Sequence, residues 1–82
     1  MNTGKPLYFV RHARNRMRWN AITRKEIEDC LRHPEWTETS AMNRTNAWGK
    51  WRDRYLRVTC IEEEDRIVII TVVPKEKLPR GG

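Results

Sequence analysis

Tyr55-Leu56-Arg57-Val58-Thr59-Cys60-Ile61, followed by Glu62-Glu63-Glu64-Asp65 and Arg66-Ile67-Val68-Ile69-Ile70-Thr71-Val72-Val73, is the stretch on which the fold turns. Its first part alternates, with Leu56, Val58 and Cys60 on one side of an extended chain and Tyr55, Arg57 and Thr59 on the other. That is the period of a strand with one buried face. Its last part is a β-branched run, which suits a packed, pleated surface. Because this run is apolar on both sides, it predicts a strand that is central or covered by helices. The acidic stretch between them is a solvated tip, so the pair is expected to form an antiparallel hairpin closed off by Pro74.

Upstream, Ile22-Thr23-Arg24-Lys25-Glu26-Ile27 is a helix start. Thr23 can accept from the backbone three residues on, Glu26 can reach back, and Ile22 can pack onto Ile27. The helix this predicts buries Ile27, Cys30 and Leu31 and ends at His33-Pro34, since proline disfavours a helical residue before it. A shorter helix is expected from about His12 to Trp19, with Val10, Ala13 and Met17 on the core side. His12, Arg16 and Trp19 share a different side of it. Between helices and hairpin, Trp36 to Ser40 reads as a short strand, Met42 to Asn46 as a turn, and Asn46 to Trp51 as a strand with Trp48 and Lys50 opposite Gly49 and Trp51. The expected class is therefore α+β, with two N-terminal helices packed on a three- to four-stranded antiparallel sheet. Residues 7–74 form one domain, with loose ends at 1–6 and 75–82; Met1 to Pro6 reads as a loose terminus or a short lead-in strand through Leu7 to Val10.

The chain has 82 residues and a formal charge of +6, and twelve of its seventeen basic residues are arginine. Arginine's planar fork suits phosphate and carboxylate, so a polyanionic partner and a merely solubilising charge are both open readings. The longest apolar run, Ile67 to Val73, is far below the roughly 20 residues of a membrane-spanning helix, and no charged-then-apolar leader opens the sequence. The expectation is a cytoplasmic protein with no membrane association. Cys30 and Cys60 lack zinc-site or CxxC spacing and read as buried free thiols. No metal or other cofactor is expected. Carboxylate pairs and glycine-rich phosphate loops are also missing, which argues against glycosidase and nucleotide-hydrolysing chemistry.

His12-Ala13-Arg14-Asn15-Arg16-Met17, then Ile22-Thr23 with Glu26-Ile27, Leu31 and Pro34, resemble the opening of the family of small domains named DUF4258. Tyr55-Leu56-Arg57-Val58 and Ile67 to Val73 resemble its two closing strands, so the similarity runs from about Leu7 to Pro74. The family commonly carries a second arginine and then glycine before the isoleucine, where this chain has Asn20 and Ala21. The resemblance implies an architecture similar to the compact ribonuclease toxins of the RelE and barnase-like group. It does not establish an enzyme; the leading reading of the residues is a toxin-like, metal-independent endoribonuclease or an RNA-interacting relative of one, restrained by an acidic antitoxin-like protein. Fold does not by itself imply that activity.

Metal-free RNA cleavage needs a group to take the 2′-hydroxyl proton, another to protonate the leaving oxygen, and cations on the phosphorane. The candidates are His12 as acid or base with Arg16 and Arg57 as phosphate ligands. Lys50 and Arg54 would add cationic contacts, and Thr71 a contact from the last strand. Trp36, Trp48 and Trp51, interleaved with Arg44, Lys50, Arg52 and Arg54, could stack bases beside a cationic track. Each has a plain structural reading. His12 can be a helix residue bonded to backbone, Arg16 an ion-pair member, Tyr55, Arg57 and Thr71 cross-strand partners, and the tryptophans core or interface. His33 is assigned to structure. Two other functions remain open: a non-catalytic module that binds RNA or protein through its basic, tryptophan-bearing middle, and a homodimer formed through a sheet edge.

Overall fold

The structure is a computed structural model and describes residues 4–79. Its elements are β1 (Leu7–Phe9), α1 (Arg11–Asn20), α2 (Arg24–Arg32), β2 (Trp36–Thr39), β3 (Thr45–Trp51), β4 (Arg54–Glu62) and β5 (Ile67–Lys75), with a 3-10 turn at Ala41–Asn43 between β2 and β3. β4 and β5 form the expected antiparallel hairpin, and β3 and β2 continue it as a meander. The sheet is nevertheless five-stranded and mixed, in the order β1-β5-β4-β3-β2, and not a three- to four-stranded antiparallel one. β1 is the added strand. It lies parallel to β5, with Leu7 opposite Ile67 and Phe9 opposite Ile69, and the pairing extends through Ile67 N–H to the Pro6 carbonyl at 3.0 Å and Val10 N–H to the Ile69 carbonyl at 3.2 Å. Local pattern cannot reveal this neighbour, because a parallel partner requires a crossover and here nearly the whole domain supplies it.

Both helices pack on one face of the sheet, α1 over β5 and α2 over β3 and β4. The core between the layers holds Ala13, Ile22, Ile27, Cys30 and Leu31 from the helical segment and Ala47, Trp51, Leu56, Val58, Cys60, Ile67, Ile69 and Val72 from the sheet. Val10 and Met17 pack at its edge, as their spacing with Ala13 predicts. α2 begins in a complete capping box. The Glu26 N–H donates to Thr23 Oγ1 at 3.1 Å and the Thr23 N–H donates to Glu26 Oε1 at 2.8 Å. Burial alone would raise the Glu26 pKa. The Thr23 N–H, the Trp51 indole, the Thr23 hydroxyl and the Arg52 guanidinium outweigh burial and hold it below the usual value.

A residue in the left-handed region ends α1. Ala21 has φ 53° and ψ 45°, and its N–H caps the Arg18 and Met17 carbonyls. A left-handed residue other than glycine is strained by its Cβ. The Arg52 guanidinium, which donates to the Ala21 carbonyl at 2.7 Å, helps hold it there. Relieving that strain outweighs the extra chain entropy of glycine, so Ala21→Gly is expected to raise unfolding free energy by about 0.5–1 kcal/mol. A urea midpoint unchanged or lowered in that variant would contradict this account.

The loose ends expected at 1–6 and 75–82 lie partly outside the described residues, which exclude 1–3 and 80–82. Within them, Lys5 Nζ donates to Glu62 Oε2 and to the Glu63 carbonyl, both at 2.8 Å, and Lys75 closes β5.

Candidate nucleic-acid interface

Because side chains alternate along a strand, the residues between the core positions point to the sheet face that carries no helix. On β4 these are Tyr55, Arg57, Thr59 and Ile61, and on β3 they are Asn46, Trp48 and Lys50. The Thr59 hydroxyl donates to Asn46 Oδ1 at 2.6 Å and the Arg57 guanidinium lies 5.9 Å from the Trp48 ring centre, which fixes these residues on one side. Trp48 and Val68 are buried yet lie outside the helix-side core, as this placement requires. Trp36 of β2 sits directly opposite Trp48.

A register shift decides what β5 adds. Cys60 faces Ile69 but Thr59 faces Thr71, leaving Ile70 as the extra residue of a bulge. The alternation therefore changes phase, so that Ile67, Ile69 and Val72 reach the core while Thr71 and Val73 join the open face.

The registers line this face up in rows. Trp36, Trp48, Arg57 and Val73 form one row, Lys50, Tyr55 and Lys75 the next, and Glu38, Asn46, Thr59 and Thr71 lie on the other side of the first. At about 4.8 Å between strands, a four-strand row is about 15 Å wide. Trp48 is only 8% exposed and forms the floor, whereas Trp36 is 36% exposed and Tyr55 half-buried, so these two offer ring surface. Trp48 Nε1 and Arg57 Nε are buried without a hydrogen-bond partner among the described residues. Leaving such donors unmet costs about 1–3 kcal/mol each.

Several residues singled out by sequence lie elsewhere. His12 and Arg16 are on α1, across the sheet from Arg57, so the three do not converge. Arg16 instead stacks over the exposed Trp19 at 5.7 Å. Trp51 is 4% exposed on the helix side, where it packs in the core, and Arg52 and Arg54 lie over its ring at 4.3 and 5.3 Å. Arg54 also pairs with Glu76 at 3.7 Å. The sequence reading missed Lys75, which only the register brings beside Tyr55. Lys50, Trp48, Arg57 and Thr71 do share the open face.

Both cysteines are buried, and neither is in a disulfide. Burial, with the neighbouring Cys60 adding to it, pushes the Cys30 pKa up to about 12, and burial with Glu62 pushes Cys60 up to about 11. The thiolate is the reactive form, and a raised pKa keeps it scarce at neutral pH. Neither thiol should therefore react with an aromatic disulfide reagent in the native protein, while both react in denaturant. Rapid native labelling would contradict the burial. Among the described residues no three His, Cys, Asp or Glu side chains gather to hold a metal ion, and no helix is long and apolar enough to cross a membrane.

A family model described as "Domain of unknown function (DUF4258)" matches residues 9–74, from the end of β1 to the penultimate residue of β5. The chain belongs to the DUF4258 family. The match spans both helices and β2 to β4, and takes in every residue of the rows described above except Lys75. No curated protein and no solved structure matches the chain.

Proposed function

We propose that this DUF4258 domain is an RNA-interacting protein that binds single-stranded RNA across the helix-free face of its sheet. The observation that carries the reading is the row Trp36–Trp48–Arg57, flanked by Lys50, Tyr55 and Lys75. Bases stack on aromatic rings with little regard to sequence, and cations beside the rings take the phosphates. The formal charge of +6, carried mostly by arginine, supports a polyanion such as RNA. An open sheet face with accessible rings suits unpaired strands, because the bases of a duplex are already stacked on each other.

A metal-independent endoribonuclease is the second reading, favoured by one feature. Tyr55 lies in register between Lys50 and Lys75, so a phenol and two amines, groups able to move protons, stand beside Arg57. On this face the acid and base would come from that row and not from His12.

The test is titration of labelled oligouridylate at several salt concentrations in EDTA, with end-mapping of total RNA in parallel. Binding that weakens steeply with salt and falls about 10-fold or more in Trp36→Ala, through loss of one stacked base, is expected. Binding indifferent to Trp36 would overturn the placement. Discrete cleavage that vanishes in Tyr55→Phe but persists in His12→Ala would select the enzyme reading. The opposite pattern would return catalysis to His12.

A further inference from the structure

α1 carries a second cationic surface. Arg11, Arg14 and Arg18 recur at i, i+3 and i+7, turned away from the buried Ala13, and span about 10 Å along the axis. With Asn15 they line an open hollow of about 410 Å³. All three arginines are exposed, the helix contains no acid, and among the described residues none of the three is paired with a carboxylate. By contrast, Lys5, Lys25, Arg52, Arg54 and Arg66 all have acidic partners.

The turn between β3 and β4 lies between the end of α1 and the open face. Lys50, Arg52, Asp53, Arg54 and Tyr55 line a hollow of about 250 Å³ there. Lys50 and Tyr55 belong to the open face, and Arg52 reaches the Ala21 carbonyl at the end of α1. Of the acids at this turn, Glu26 and Glu76 hold Arg52 and Arg54 at 3.6 and 3.7 Å, and Asp53 sets one carboxylate against the three cations Lys50, Arg52 and Arg54. Such loose, exposed pairs are worth little and can exchange for phosphate.

We infer that single-stranded RNA longer than the open face continues over the β3–β4 turn onto α1, where Arg11, Arg14 and Arg18 bind its phosphates. This rests on the RNA reading above and names its substrate class: strands of roughly ten nucleotides or more, within the range of single-strand sites. The hollow on α1 is lined by Arg11, Arg14, Asn15 and Arg18 with no ring, so it contributes charge and little base selectivity.

The test compares oligouridylates of about 5 and about 15 nucleotides by fluorescence anisotropy over a salt series. The variant combines Arg11→Gln, Arg14→Gln and Arg18→Gln, all exposed positions at which glutamine keeps helix propensity. The wild type should bind the longer strand at least tenfold more tightly. The triple variant should lose that gain, with the salt slope for the longer strand falling by about 2 as three phosphate contacts go. Its affinity for the shorter strand and its thermal midpoint should stay unchanged. Equal affinity of the wild type for both lengths, or an unaltered slope in the triple variant, overturns the inference while leaving the open-face reading standing. Failure of both strands to bind overturns that reading as well. Tighter binding of polyglutamate than of the longer strand, lost in the triple variant, overturns the inference in favour of an acidic protein partner.

Discussion

Gly49→Ala is expected to lower the unfolding free energy by about 1–2 kcal/mol, although alanine ordinarily suits a strand better than glycine. A Cβ placed on Gly49 would stand 2.9 Å from Cys30 Sγ, 3.0 Å from Cys30 Cα and 3.1 Å from Cys30 Cβ. The approach to the main chain of Cys30 is decisive, because a backbone atom of α2 cannot rotate away as a side chain can. Accommodating the methyl group means moving the helix off β3, an overpacking cost of about 1–3 kcal/mol. Reduced chain entropy in the unfolded state returns only about 0.4–1 kcal/mol. For a domain of this size the net loss should appear as a fall in thermal midpoint of about 4–16 °C. Adding Cys30→Ala removes Sγ but leaves the backbone and Cβ of residue 30 where they stand, so the double variant should recover only part of the loss. A Gly49→Ala midpoint equal to the wild type would show that α2 does not sit this close to the sheet.

Arg57→Met should have opposite effects on binding and on stability. In the free protein Arg57 Nε is buried without a hydrogen-bond partner, and its guanidinium lies 5.9 Å from the Trp48 ring. Methionine removes the unmet donor and keeps an unbranched stem over the indole, so stability is expected to be unchanged or slightly raised. Bound RNA would lose a charge-assisted hydrogen bond worth about 1.5–3 kcal/mol, which is roughly 10- to 150-fold in affinity. The salt slope for single-stranded RNA should fall by about 0.7, the share of one phosphate. A purely structural Arg57 would give the reverse pattern of lost stability and unchanged binding, so paired denaturation and titration separate the two roles.

The local elements were legible because each rests on neighbours in sequence. The Thr23–Glu26 capping box involves groups three residues apart. The alternation of Leu56, Val58 and Cys60 needs only the period of a strand, and His33-Pro34 stops α2 through a steric rule between adjacent residues. Together with the periodicity of residues 10–19 and the strand and turn patterns of residues 36–51, these give the α+β class, both helices, the four strands β2 to β5 and the faces of β3 and β4. DUF4258 membership was also readable there, since its anchors are those same short motifs.

What the sequence could not decide lies in long-range register. The Tyr55-to-Ile61 alternation gives Arg57 a face, but nothing local says that α1 covers the other one, so His12, Arg16 and Arg57 could be grouped on paper and are separated in space. Trp51 and Trp48 look alike in composition, and packing alone makes one a core residue and the other the floor of an open face. In β5 every position from Ile67 to Val73 except Thr71 is apolar, so hydrophobicity carries no face information, and the bulge at Ile70 moves Thr71 and Val73 to the open side. The parallel β1–β5 pairing depends on groups at opposite ends of the chain. The sequence by itself determined which segments are helices and strands, because propensity, capping and periodicity act over a few residues. Only the tertiary structure determined which side chains share a surface, because that depends on register, a bulge and the sheet face to which the helices dock.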